Sequence, residues 1–345
     1  MSFRGKDMEI KDWASMGARS ALYRELKQLD LLENIAELDA FGYTVIPPEK
    51  VGPDEQHEQM KNAVLKIASN RKACSLEDLP NFFSQGQELM RFILWDDPVF
   101  EKLVLNPPML GLVQWLVGTD CILSLFDSWV KGKGALGTDI HVDWAQFDMP
   151  TMPPEAFGAN FNYVLTDYTQ ADGALSVIPG SHRWRRWPSH EEAAYWKDKA
   201  EPVVAKAGSM IVWGDHLWHG SYNKDTEGLR IMILGMFNRP HMQSQEGFRE
   251  TVTNEALARN PRRFTRLMNV YHSMPSGRGG RNPKRATEAP KGYDSLFDAQ
   301  PVGDKYTVDS DRDMLSYDRD QANEQMKAQE KLAATGKTWP DLYHG

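Results

Sequence analysis

Cysteine is nearly absent from this 345-residue chain, where Cys74 and Cys121 are the two that occur. One pair cannot build a disulfide framework, and a cysteine-based zinc site is not expected. Long apolar runs are lacking too. No stretch approaches the roughly 18 uninterrupted apolar residues of a spanning helix, and the opening Met1-Ser-Phe-Arg-Gly-Lys-Asp7 lacks the apolar segment of a secretion signal. Positive charge is in deficit: 40 Lys and Arg against 48 Asp and Glu leave a net charge of -8. A general nucleic-acid binder needs a basic surface to displace counterions, so that class is set aside. The expectation is a cytoplasmic protein that meets a small molecule, with neither nucleic acid nor membrane as partner. Oligomeric state stays open, a homodimer being one option. With 41% hydrophobic and 26% charged residues the composition is that of an ordinary globular protein, long enough for one large or two modest domains.

The texture changes along the chain. Up to about residue 120 helical spacing dominates: Leu31, Leu32, Ile35 and Leu38 precede Gly42, and Met60, Val64 and Ile67 mark a later helix. A short strand, Tyr43-Thr-Val-Ile46, interrupts them and stops at Pro47 and Pro48. Residues 76–120 read as further helix. From Cys121 to about 240 come short apolar runs at 122–130, 160–166, 175–179, 209–213 and 231–237, with Asp172-Gly173 and Pro179-Gly180 at two of the joints. Short strands separated by turns suit a β-sandwich or barrel. This divides the chain into a unit at 1–240, helical to 120 with a β core after it, and an extension at 241–345. The extension holds a basic stretch (259–291), an Asp-rich stretch and a helical pattern at 318–334. It reads as a surface extension, with a lid or an oligomer contact as the sharper alternative.

The chemistry-bearing pattern is His141-Val-Asp143, followed far downstream by His219 and soon after by Arg230. On a strand, residues i and i+2 face the same side, so His141 and Asp143 can reach one ion. Two imidazoles and a carboxylate form a facial set with open positions opposite, which suits non-haem Fe(II). An arginine just beyond the distal histidine suits the bidentate grip of a carboxylate. Ligands plus clamp point to an oxygenase with an oxo-acid co-substrate. A zinc hydrolase with the same ligands would leave Arg230 unexplained, and a non-catalytic binding protein would have no need of the whole set.

Several motifs in order carry a more specific likeness. Asp172-Gly-Ala-Leu-Ser-Val-Ile-Pro-Gly-Ser-His182, Ala207-Gly-Ser-Met-Ile-Val-Trp-Gly-Asp-His-Leu-Trp-His-Gly-Ser221 with Asn223 and Arg230, and Phe41-Gly-Tyr-Thr-Val-Ile-Pro47 resemble the phytanoyl-CoA dioxygenase family over about residues 35–240. The resemblance implies a mainly β core with flanking helices, folded as a double-stranded β-helix (a jelly-roll, cupin-like barrel). It implies Fe(II), with 2-oxoglutarate and O₂ as co-substrates and succinate and CO₂ as co-products. His141, Asp143 and His219 would ligate iron, and Arg230 with Ser221 would hold the distal carboxylate of 2-oxoglutarate. Asn162 stands where some members carry a tryptophan; it is either a co-substrate contact or a structural strand residue. Phe147 replaces a tryptophan of a related subgroup and reads as packing. His182 and His216 read as structural or supporting. Asp143 argues against the related halogenases, in which a small residue replaces the carboxylate. Hydroxylation is the default outcome, with desaturation, cyclisation and epoxidation as alternatives using the same oxidant. Trp129, Trp144, Phe147, Met149, Trp213 and Trp218 flank the ligands and suit a bulky apolar substrate, a natural product or lipid-like molecule.

Overall fold

The computed structural model describes residues 16–84, 86–143, 151–270 and 292–308. Nine strands form in the described residues: β1 (Tyr43–Ile46), β2 (Gln87–Met90), β3 (Ile122–Lys131), β4 (Gly158–Val164), β5 (Leu175–Val177), β6 (Glu201–Pro202), β7 (Met210–Gly214), β8 (His219–Ser221) and β9 (Arg230–Asn238). Six make a large sheet in the order β1-β7-β4-β9-β3-β2, and three make a small one, β6-β5-β8. All their pairings are antiparallel. This is the expected β core with flanking helices, in which the sheets remain separate and do not close into one continuous barrel.

The apolar runs read from the sequence became β3, β4, β5, β7 and β9. They are almost wholly buried, and the polar residues within them, such as Lys131, Asn160 and Asn162, are buried as well. One departure lies in residues 76–120, expected to be helical throughout. Gln87–Met90 is instead the edge strand β2, paired to β3 from Gln87–Lys131 to Met90–Ser128. Gln-Glu-Leu-Met has no β-branched residue, and the neighbouring strand decides its state.

Helices cover the large sheet. The helix Pro107–Val117 starts with two prolines, whose φ is preset for a first turn, and the Asn106 side chain accepts from Met109 N at 3.1 Å. It packs against β4, β7 and β9. Part of the chain beyond 240 joins this layer. Phe248, Val252, Leu257, Phe264 and Leu267 are buried in the same core as Leu103, Val104 and Phe126. Arg263 donates to the carbonyls of Leu105, Ser295 and Asp298, and Tyr293 Oη donates to Glu25 at 2.8 Å. Asp294 accepts from Arg262 and Arg266. The predicted helix at 318–334 and most of the basic stretch lie outside the described residues.

Because Asp294 and Arg266 are 7% and 6% exposed, truncating Asp294 leaves the buried Arg266 guanidinium without its carboxylate, although its Nη2 still donates to Gly292 O at 2.9 Å. Asp294→Ala is expected to lower unfolding stability by roughly 3–5 kcal/mol. Urea denaturation checks this, and a loss under about 1 kcal/mol would mean that these residues contribute little to holding the extension in place. No helix among the described residues is long and apolar enough to cross a membrane.

Candidate metal centre

His141 and His219 meet through their main chains. His141 N donates to His219 O at 2.8 Å and His219 N to His141 O at 2.9 Å, an isolated bridge that extends β8. The approach is close enough to require glycine nearby: a Cβ on Gly137 would lie 1.9 Å from Ser221 O, and one on Gly220 would lie 2.7 Å from Thr138 O. The His-x-Asp segment is therefore not a regular strand. His141 is a single bridged residue and Asp143 sits on a bend. The two still converge, and one donor atom each from His141, Asp143 and His219 falls within 4.8 Å of the others.

The imidazoles are oriented for metal binding. His141 Nδ1 lies 2.7 Å from Asp139 O and His219 Nδ1 lies 2.9 Å from Leu217 O. A carbonyl only accepts, so each Nδ1 carries the proton and each Nε2 lone pair faces the cluster. Asp143 Oδ1 is 3.6 Å from His141 Nε2, and Oδ2 is 3.2 Å from His219 Nε2. Burial pushes the His219 pKa down, but the Asp143 carboxylate outweighs it and the net shift is upward. Two nitrogens, one carboxylate and no thiolate form a donor set that fits Fe(II).

A cavity of about 370 Å³ adjoins the triad. Alternate residues of β9, namely Arg230, Met232, Leu234 and Met236, line it, as do Asn160 and Asn162 of β4 and Leu125 and Trp129 of β3. Tyr168, Thr138 and Ser221 join at the Arg230 end, and Gln245 at the Met236 end.

Arg230 is 1% exposed. Its Nη2 donates to Gly173 O at 3.1 Å, while Nε and Nη1 are buried without a hydrogen-bond partner. No carboxylate among the described residues pairs with it; its neighbours are the Tyr168 and Trp129 rings, with centroids 5.2 and 5.8 Å from Cζ. Ser221 Oγ accepts from Thr138 N at 3.0 Å and from Lys131 Nζ at 3.0 Å.

Lys131 was not anticipated. It is directly opposite Arg230 in the β3–β9 register and is 0% exposed. Burial, with Arg230 beside it, pushes its pKa down to about 7. The available signal was its parity: Lys131 is two residues beyond Trp129 on the same strand face. Asn160 was also missed, and its Nδ2 donates to Asp143 Oδ2 at 2.9 Å.

The structure divides the aromatic residues noted in the sequence. Trp129 and Trp213 line the cavity, Trp213 meeting His219 edge-on with centroids 5.4 Å apart. Trp218 does not. It packs with Ile140, Val142, Met152 and Ile178, and its Nε1 donates to Arg186 O at 2.9 Å. Trp144, Phe147 and Met149 lie outside the described residues. His182 and His216 take no part in the triad.

Comparison with known proteins identifies a family. The profile of phytanoyl-CoA dioxygenase (PhyH) matches residues 38–232. The chain is 29% identical to dioxygenase af480 of Aspergillus fumigatus over 148 residues, 43% of this chain and 47% of that protein. It is 35% identical to dioxygenase cdmD of Talaromyces verruculosus over 81 residues, 23% of this chain and 26% of that one. The match thus spans about half or less of these curated relatives. EctD from S. alaskensis, solved with 2-oxoglutarate and 5-hydroxyectoine, superposes with a TM-score of 0.50 at 20% identity, covering 60% of this chain and 76% of that one. That likeness concerns the fold. The profile runs from the first strand of the large sheet through both histidines to Arg230, and on it this chain belongs to the phytanoyl-CoA dioxygenase family.

Proposed function

We propose that this family member is an Fe(II)- and 2-oxoglutarate-dependent oxygenase that hydroxylates a neutral, largely apolar small molecule. The observation that carries the reading is Arg230, a fully buried guanidinium with unpaired donors and no counter-charge among the described residues, at the end of a cavity that begins at the His141–Asp143–His219 cluster. Burying an unpaired charge is costly, and a dicarboxylate offers the missing partner. Once both are bound, Fe(II) and 2-oxoglutarate supply O₂ activation coupled to oxidative decarboxylation of the keto acid.

The chain's residues do the rest. His141, Asp143 and His219 hold the metal with their Nε2 and carboxylate oxygens. Arg230, Lys131 and Ser221 bind the distal carboxylate and fix the co-substrate's direction, with Asn162 along its side. Trp129, Met232 and Trp213 exclude water around it. Leu125, Phe161, Leu234 and Met236 form an apolar wall toward the other end, where Gln245 supplies a carboxamide. With no side-chain charge at that end among the described residues, a neutral substrate is favoured over an ionised amino acid. Assays in air-saturated buffer with Fe(II), 2-oxoglutarate, ascorbate and a panel of apolar natural products test the reading, with an O₂-free control. Substrate-dependent succinate with a hydroxylated product supports it; turnover with zinc in place of iron, without 2-oxoglutarate, would refute it.

Lys131 makes a pH prediction. Without co-substrate its pKa is about 7, because burial beside Arg230 disfavours the charged form. A bound dicarboxylate favours that form and raises the pKa, so binding above pH 7 takes up a proton. Affinity is then flat with respect to this group below pH 7 and falls above it, by at most about tenfold per pH unit. Calorimetry of 2-oxoglutarate binding to the Mn(II) form, in buffers of differing ionisation enthalpy, should show proton uptake at pH 8 that Lys131→Met abolishes. Equal uptake in both proteins would assign the proton elsewhere.

A further inference from the structure

The reading of Asp143 as a metal ligand leaves open how its carboxylate is held, and the inference made here rests on that reading. Asp143 lies on a bend outside any strand, and its main-chain N donates to Asp215 O at 3.2 Å. Its side chain is 28% exposed. Alone, such a carboxylate is free to rotate and to offer either oxygen or both.

Asn160 removes that freedom. Its Nδ2 donates to Asp143 Oδ2 at 2.9 Å. Asn160 itself is 7% exposed and sits within β4, paired to Trp213 on one side and to Met236 on the other. A carboxamide fixed in the rigid sheet therefore engages one oxygen of a carboxylate on the less regular segment. His219 Nε2 also approaches Oδ2, but that nitrogen is itself a metal donor and would exchange this contact for the ion. The Asn160 contact need not be exchanged.

A carboxylate that binds through both oxygens takes two positions on a metal. One that binds through a single oxygen takes one, and with two imidazoles leaves three of six. A chelating keto acid and O₂ need three. We propose that Asn160 is the positioning residue that makes Asp143 a one-oxygen ligand, occupying Oδ2 so that Oδ1 alone is presented to the metal. Asn160 does this through Asp143 and is distinct in role from the apolar wall it adjoins.

The test is anaerobic titration of the full chain with Co(II) and Mn(II), comparing wild type with Asn160→Ala and Asn160→Ser. The expected result is a metal Kd raised about 10- to 100-fold and an altered Co(II) ligand-field spectrum. The metal-free melting midpoint should stay within about 4 °C of wild type. Wild-type affinity together with a wild-type spectrum in either folded variant would overturn the proposal. A structure of the Mn(II)-loaded wild type decides even if neither variant folds: Oδ1 on the metal with Oδ2 on Asn160 supports the proposal, and a bidentate Asp143 overturns it. Wild type that binds neither ion would bring down the metal reading itself, and is told apart because the failure then precedes any change at Asn160.

Discussion

Replacing Arg230 with methionine is expected to weaken 2-oxoglutarate binding by about 30- to 3000-fold while leaving the metal-free protein as stable as wild type or more so. The two effects have one cause. Arg230 is buried at 1% exposure, without an ion-pair partner among the described residues, and its Nε and Nη1 have no acceptor. In the free protein that arrangement is a net cost, and an apolar side chain of similar length removes it. With the co-substrate present the same donors meet a carboxylate, and truncating one partner of a buried charge pair costs roughly 2–5 kcal/mol. Binding to the Mn(II) form by calorimetry and melting of the metal-free form measure the two halves. Unchanged binding would separate Arg230 from the co-substrate. A large drop in melting temperature would show the guanidinium to be a structural anchor through Gly173 O.

The second large effect is expected at the ligands. His219→Ala and Asp143→Ala should each abolish iron-dependent turnover, with a loss of metal affinity beyond the roughly 10- to 100-fold that removal of an outer partner produces. The fold should survive. The bridge between His141 and His219 runs through main-chain atoms, and alanine keeps both bonds. His182→Ala and His216→Ala are the contrast, since neither histidine belongs to the triad. Their metal affinity should match wild type whatever their stability does. Wild-type turnover in His219→Ala, or a metal-free His182→Ala, would break the assignment.

The parts of this protein legible in the sequence depended on strong local periodicity or on spacing within a motif. The runs that became β3, β4, β7 and β9 are rich in apolar and aromatic residues and are bounded by turn residues, which left a trace in the sequence. His141, Asp143 and His219 stood out because a facial metal site calls for those side-chain types, and the structure brings their donor atoms within 4.8 Å of one another. β2 was not legible, because Gln-Glu-Leu-Met forms a strand only against β3. Trp218 looked like a neighbour of the site because it adjoins His219 in the chain. It sits instead among Ile140, Met152 and Ile178, since adjacent residues on extended backbone face opposite ways.

By itself the sequence determined the family membership, through motifs in their order along the chain, and pointed to a class of chemistry through residue types suited to a metal and a carboxylate. Tertiary structure alone decided which groups surround them. Lys131 faces Arg230 because β3 and β9 keep one register from Leu125 to Lys131, past the shift between Leu123 and Leu125, and Asn160 reaches Asp143 from a strand seventeen residues away. It also decided that part of the chain beyond residue 240 completes the helical layer, through burial of Phe264 and Leu267 and the pairing of Asp294 with Arg266. Those relations depend on strand register and burial, which arise between segments distant in the chain and leave no local pattern in either one.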